Sequence, residues 1–278
     1  MTAIAPVTVL MTVRNGQPYM REAVRSVLDQ TYPDLRLLVL DNASTDGSRE
    51  DVLSFEDARV ELVELEEDLG QTIALNKGLK RIETQLVARM DADDVCLPDR
   101  IERQVAAMEL HGTEVAVVGS AVRLISAEGR PEGDWSGDLR GRGEFLFSLL
   151  ANTVPLYHPA VMFRREAVMA VGGYAPEFAP AEDYDLWVRL ALAGHSARVV
   201  KEPLLLLRRH EGQTSNRATT TQDRSVARAR ARLIQGLGVT DPPPEVFGFF
   251  DLDTGVFDSL QRECGLGRLA TALDRLLQ

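Results

Sequence analysis

Short apolar runs alternate with stretches of helical periodicity throughout the first 125 residues, and few architectures can absorb that pattern. Val7 to Val13 is a β-branched run. Met20, Ala23, Val24, Val27 and Leu28 then recur at helical spacing, one apolar stripe over two turns, until Pro33 and Asp34 break it. Leu35 to Leu40 is almost continuously apolar, as expected of a strand covered on both faces. Ser44-Thr45-Asp46-Gly47 supplies turn and N-cap chemistry for a helix running to about Phe55. Val60 to Leu65 reads as a strand, Gln71 to Arg81 as a helix and Leu86 to Met90 as a strand. Pro98 to Leu110 reads as a helix with Pro in its first turn, and Val115 to Ile125 as a strand or pair of strands. Strands and helices in this order make right-handed βαβ units. The expected fold is therefore α/β, a mixed, mostly parallel sheet with helices on both faces.

The second half is less regular. From Ser126 to Gly143 the pattern lapses into a Gly-rich stretch carrying Trp135, and long structureless loops inside a domain are usually functional or mobile. Regular structure resumes with a strand near Ala160 to Phe163, a helix from about Asp183 to Ala193, and strands at Ala197 to Val200 and Leu204 to Leu207. After His210 the composition shifts. Arg217, Arg224, Arg228, Arg230 and Arg232 lie in an Ala-rich helical stretch, Asp241-Pro242-Pro243-Pro244 stops it, and a final helix covers about Leu260 to Leu277. The expected division is a main domain over 1–215 and a small C-terminal helical extension over 216–278. The arginine stretch reads as a solvated helix face. Its alternative is peripheral docking to anionic lipid or a lipid diphosphate.

Composition removes several functions. With 278 residues, 45% hydrophobic and 26% charged, the chain can bury an ordinary globular core. Thirty-one basic residues face 42 acidic ones, a formal net charge of −11, so no nucleic-acid partner is expected. Cys96 and Cys264 lie far apart without metal-ligand spacing, which speaks against a disulfide framework or a zinc site. The N-terminal stretch lacks the basic region of a secretory signal, and no apolar run approaches the roughly 20 residues of a bilayer span. A cytoplasmic location is expected, with peripheral membrane contact only through the arginine helix.

Three acidic groups follow expected strands or open expected helices: Asp41, the run Asp91-Ala92-Asp93-Asp94, and Glu182-Asp183. In open α/β sheets, ligands bind beyond the carboxyl ends of the strands. Carboxylates gathered there repel one another unless a cation or a donor-rich ligand lies between them. For Asp46 or Asp94 alone, ordinary turn and N-cap duty is the better reading. Asp91 and Asp93, one residue apart after an apolar strand, favour a site for Mn²⁺ or Mg²⁺, hard cations that commonly join carboxylates to substrate phosphates.

Taken in order, these segments resemble family-two glycosyltransferases of the GT-A fold, from Val7 to about Ser215. VTVLMTVRNGQPYMREAVRSVLDQTYPDLRLLVLDNASTDGS resembles the family's nucleotide-binding opening, LGQTIALNKGL its middle helix, and ARMDADD its D-x-D motif. HPAVMFRRE, GGY and AEDYDLWVRL resemble the acceptor-side segment with its acid pair, and LRRHEGQTS the closing Arg-x-His segment. The resemblance implies a nucleotide-diphospho-sugar donor carrying UDP, dTDP or GDP, and a glycan or lipid-linked acceptor. It implies that Thr12, Val13, Arg14 and Asn15 line the nucleoside, that Asp41 meets the base, and that Asp91, beside Ala92, meets the ribose. Asp93 would hold the cation, His210 would lie near metal or diphosphate, and Arg208 would partner an anion. Asp183 would be the general base, with Glu182 supporting it. Asn42, Arg14 and Leu75 depart from the family, which often has an Asp, an aromatic residue and an Arg at those positions.

A sugar hydroxyl is a weak nucleophile near neutrality, so a carboxylate must take its proton during attack. One base with no evident second nucleophile implies single displacement with inversion. His158 could position acceptor or diphosphate, or simply make structural hydrogen bonds. Trp135 could stack on an acceptor sugar or pack within its loop. Trp187 and Cys96 read as core. Two rivals remain: a sugar-nucleotide-binding module without catalysis, and a sugar-phosphate nucleotidyltransferase, whose Gly-rich phosphate loop VRNGQPYM does not supply.

Overall fold

The computed structural model describes residues 5–154, 156–213 and 219–237, and within them the alternation becomes a curled sheet between two helical layers. Strands are β1 (Val7–Val13), β2 (Leu35–Asp41), β3 (Val60–Glu64), β4 (Leu86–Asp91), β5 (Val95–Cys96), β6 (Val115–Ile125), β7 (Pro131–Trp135), β8 (Met162–Arg164) and β9 (Ser196–Arg208). Helices are α1 (Met20–Leu28), α2 (Ser48–Leu53), α3 (Gln71–Arg81), α4 (Arg100–His111), α5 (Arg142–Leu150), α6 (Arg165–Ala170), α7 (Glu182–Leu192) and α8 (Thr219–Gly236). The sheet order is β3-β2-β1-β4-β8-β6-β9-β5, with β7 added on β6. β3, β2, β1 and β4 are mutually parallel, β8 runs antiparallel to β4 and β6, and β9 is parallel to β6.

Every residue of β1 is buried, because both faces of the strand are covered. Its side chains alternate between layers. Val9 and Met11 belong to the core that holds Val24 of α1, Val52 of α2 and Ile101 of α4, whereas Leu10 belongs to the one that holds Leu75 and Leu79 of α3. Gly78 permits that second approach, since a Cβ there would come within 2.4 Å of Leu10 Cδ1 and 2.9 Å of Leu40 Cδ2. The parallel register places Thr12 beside Asp91 and Val13 beside Asp41, so the carboxyl ends of β1, β2 and β4 meet at one edge.

Two expectations change, and one is given its packing. Within Ser126 to Gly143, Pro131–Trp135 is a strand paired antiparallel to β6, Trp135 opposite Val122. It lies on the outside with only Trp135 partly covered, so it has no buried face for periodicity to reveal. The strands at Ala197 and Leu204 are one, β9. Lys201 and Glu202 are accommodated by a register shift between Val200 and Pro203, and a bulge looks like a break in sequence. The described start of the C-terminal extension is helical and packs on the main domain: Ala229 and Leu233 of α8 are fully buried in the core, against α7. The helix expected at Leu260 to Leu277, and Cys264, lie outside the described residues. Among the described residues no helix is long and apolar enough to cross a membrane.

Candidate active site

A cavity of about 500 Å³ opens where β1 and β4 end. Thr12, Val13, Arg14, Asn15, Asn42 and Asp68 line one side, Arg89, Asp91, Ala92, Asp93 and His158 the centre, and Glu182, Asp183 and Pro180 the other. His210, Gly212, Gln213 and Gln222 lie at the rim, and Gly16, Gln17, Tyr19, Gly70 and Gln71 also line the cavity.

At the centre, carboxylate oxygens of Asp91, Asp93 and Asp94 lie within 4.8 Å of one another. Such crowding is unfavourable without compensation, and the structure shows what compensates it. Arg89, fully buried in β4, brings Nη1 to 2.5 Å from Asp91 Oδ2. His210 Nε2 lies 2.9 Å from Asp93 Oδ2. Asp94, almost fully buried, accepts the backbone N–H of Arg208 at 2.9 Å through Oδ1, while its Oδ2 is buried without a hydrogen bond. Burial, then the neighbouring carboxylates, push the Asp93 and Asp94 carboxyls up, Asp94 well above its ordinary range. The carboxylate oxygens of Asp91 and Asp93, with an imidazole at the edge, are a donor set that fits a hard divalent cation.

Across the cavity, Glu182 and Asp183 occupy the first turn of α7. The backbone N–H of Tyr184 donates to Asp183 Oδ1 at 2.7 Å, as a helix start favours. Desolvation nevertheless outweighs this and the nearby Arg89 charge, so the Asp183 carboxyl is raised, against the expectation from the helix terminus alone. Glu182 is raised to about 7, first by burial and then by Asp183. Its sign is that of a buried acid. Between its ordinary 4.5 and about 7 the unfolded chain releases this proton first, so stability falls as pH rises through that window. Glu182→Gln removes the loss. Denaturant unfolding should show it stabilised by about 2–3 kcal/mol at pH 8 and unchanged near pH 4.5. Equal effects at both pH values would place the Glu182 carboxyl in water.

His158 shares a 2.7 Å hydrogen bond with the Tyr174 hydroxyl, and its ring faces Tyr174 and Trp187. Burial and Arg89 hold its pKa well below the usual value, so the ring is neutral. Tyr174 is itself held through its backbone, whose N–H and carbonyl bond the Asn76 side chain at 2.9 and 2.7 Å.

Three expected site residues do not line the cavity. Asp41 turns back to accept the Ser44 N–H at 3.0 Å and borders a neighbouring acidic depression, whereas Asn42 faces the cavity. Strand alternation sends adjacent side chains to opposite faces, which decides between them. Arg208 is buried and occupied: its guanidinium donates to the Asp93 carbonyl at 2.8 Å, the Ala127 carbonyl at 3.1 Å and Glu22 at 2.6 Å, over the Tyr19 ring. It shapes the Asp93 backbone and offers no open edge to an anion. Trp135 packs edge-on against Tyr157 at 4.6 Å, away from the cavity. Leu75 is fully buried in the α3 core, so it contributes nothing to a diphosphate clamp. Asp46 does turn duty, accepting from Ser48 N at 3.0 Å and Gln17 N at 3.1 Å. Trp187 is core, as expected, and Cys96 is a buried free thiol.

Sequence reasoning missed Arg89, Asp68 and Gln222. Asp68 joins two family departures, pairing with Arg14 and accepting Asn42 Nδ2 at 2.6 Å. Arg89 had one signal, a charge inside an otherwise apolar strand. Such a residue needs a buried partner.

The family described as Glycosyl transferase family 2 matches residues 8–172. The amylovoran biosynthesis glycosyltransferase AmsE of Erwinia amylovora is 37% identical over 147 residues, 53% of this chain and 53% of AmsE. The chain therefore spans about half the length of that relative. The O-antigen biosynthesis glycosyltransferase WbnJ of Escherichia coli is 31% identical over 189 residues, 66% of this chain and 71% of WbnJ. Among solved structures, residues 1–349 of S. aureus TarS in complex with UDP-GlcNAc superpose with a TM-score of 0.68 at 17% identity, covering 88% of this chain and 70% of that one. The mannosyltransferase PcManGT of Pyrobaculum calidifontis, in complex with GDP-Man and Mn²⁺, gives 0.57 at 18% identity, covering 99% and 86%.

Proposed function

The chain belongs to glycosyltransferase family 2 and has its GT-A fold, and from that premise we propose that it transfers a sugar from a nucleotide-diphospho-sugar to an acceptor hydroxyl, inverting the sugar carbon. One observation carries the reading: Asp91 and Asp93, backed by buried Asp94, and the Glu182–Asp183 pair face a single cavity large enough for a nucleotide sugar. Thr12 to Asn15, with Asn42 and Asp68, take the nucleoside. Asp91 and Asp93, with His210 at the edge, hold Mn²⁺ or Mg²⁺, which when bound neutralises charge on the departing diphosphate. Asp183 takes the acceptor proton. Glu182, raised to about 7 by burial and by Asp183, supports that base from the neighbouring position. Neutral His158, held by Tyr174, orients a polar substrate group without adding charge beside Arg89.

TarS and PcManGT were solved with a UDP-sugar and a GDP-sugar, and AmsE and WbnJ are named for polysaccharide biosynthesis. These support a UDP-, dTDP- or GDP-sugar donor and a glycan or lipid-linked acceptor. The test is thermal unfolding with UDP, dTDP or GDP, each with Mn²⁺ or EDTA, followed by turnover of the matching sugars. At 100 times Kd the correct nucleotide stabilises the fold by about 2.7 kcal/mol. Tight binding without any sugar turnover would leave a binding module and end the transferase reading.

A further inference from the structure

The arginines of α8 read as a solvated stripe in sequence, yet half-buried Arg232 and exposed Arg228 both reach back to α7 and the turn before it. Asp185 lies two residues beyond Asp183 and is fully buried. A buried carboxylate is tolerable only when its oxygens are paired. Oδ2 accepts from Arg189 Nε, one turn along the same helix, at 2.7 Å. Oδ1 accepts from Arg232 Nη1 of α8 at 2.5 Å. Arg232 also lies 4.5 Å over the Phe178 ring, and Arg228 lies 4.7 Å over the same ring while donating to the Glu177 carbonyl at 3.0 Å. Phe178 ends the short turn that leads through Pro180 into α7. The chain entering α7 is thus held by both arginines, whereas the helix itself is gripped through Asp185 by Arg232.

We infer that Arg232, acting through Asp185, is a positioning residue for the Glu182–Asp183 pair. This role rests on the transferase reading for its consequence in catalysis but not for its geometry. Arg189 ties α7 to the chain after α6, donating to the Val171 carbonyl at 2.5 Å. Arg232 adds a grip on Asp185 itself from a different element, α8. Because Asp185 and Asp183 share the first turns of one helix, a shift of α7 at Asp185 moves the base. Displacement of a reacting group by about 1 Å can cost on the order of 10²-fold in rate.

Arg232→Met keeps the apolar stem over Phe178 and removes the charge, and Arg228→Met loosens α8 without touching Asp185. Two measurements separate them. The first is hydrogen exchange of the amides from Glu182 to Leu186. The second is nucleoside diphosphate release from the nucleotide sugar that proves active, with water as acceptor, analysed for kcat and KM. Arg232→Met should speed exchange in that segment and lower kcat about 10-fold or more, with donor KM nearly unchanged. Arg232→Lys should restore much of both, and Arg228→Met should leave both near wild type. Equal effects of the two Met variants would reduce α8 to a docked helix, and an unchanged Arg232→Met would remove the role entirely. Should Arg232→Met not fold, Arg232→Gln takes its place under the same criteria. A wild type without turnover overturns the transferase reading, and the exchange comparison still decides the clamp.

Discussion

Asp183→Asn should leave the fold and nucleotide-diphosphate affinity near wild type while lowering sugar transfer by about 10²–10⁴-fold, the usual worth of a positioned general base. That loss corresponds to roughly 2.7–5.4 kcal/mol of barrier. The amide has the same shape, and its oxygen can still accept the Tyr184 N–H that Asp183 Oδ1 accepts at 2.7 Å. It cannot take a proton from a hydroxyl. Local structure is therefore kept while the chemistry is lost. The pH profile supplies a second check. Burial raises the Asp183 carboxyl, so the acid limb of kcat/KM should lie above the ordinary carboxylate range and activity should climb with pH through it, as the base ionises. A purified Asp183→Asn protein with near-normal turnover would place the base elsewhere.

Removing the divalent cation should weaken nucleotide-diphosphate binding by about 100-fold or more, because a cation between crowded carboxylates and a diphosphate is worth several kcal/mol. Calorimetry with Mn²⁺ and with EDTA measures it directly, and equal affinity in both would sink the metal reading. Asp93→Ala should reproduce the EDTA result. Asp94→Ala is a different experiment. Its carboxyl is buried and accepts the Arg208 N–H where β9 ends, so its loss should cost stability, about 1–3 kcal/mol, more than metal response. Urea unfolding beside calorimetry separates the two variants.

Much of this site was legible before any coordinates. D-x-D after an apolar strand, and an acid pair at the start of an amphipathic helix, are local patterns, and the parallel register of β1, β2 and β4 follows from the βαβ order. Those segments do converge on one cavity. Two expected residues lie outside the cavity lining for one cause. Asp41 against Asn42 turns on which face of a strand end looks into the cavity, and Arg208 against Arg89 turns on which guanidinium its neighbours leave facing it. Neither is written in spacing.

The amino-acid sequence by itself determined the layered α/β order, the buried central strands and the grouping of carboxylates at strand and helix ends, because periodicity and capping act within a few residues. Tertiary structure alone decided how those carboxylates are balanced. Asp68 reaches Asn42 across 26 positions, His210 reaches Asp93 across 117, and Arg232 reaches Asp185 across 47. It also turned an arginine stripe that looks solvated toward Phe178 and Asp185. Charge in a low-dielectric interior must find a partner wherever the fold brings one, and separation along the chain does not restrict that choice.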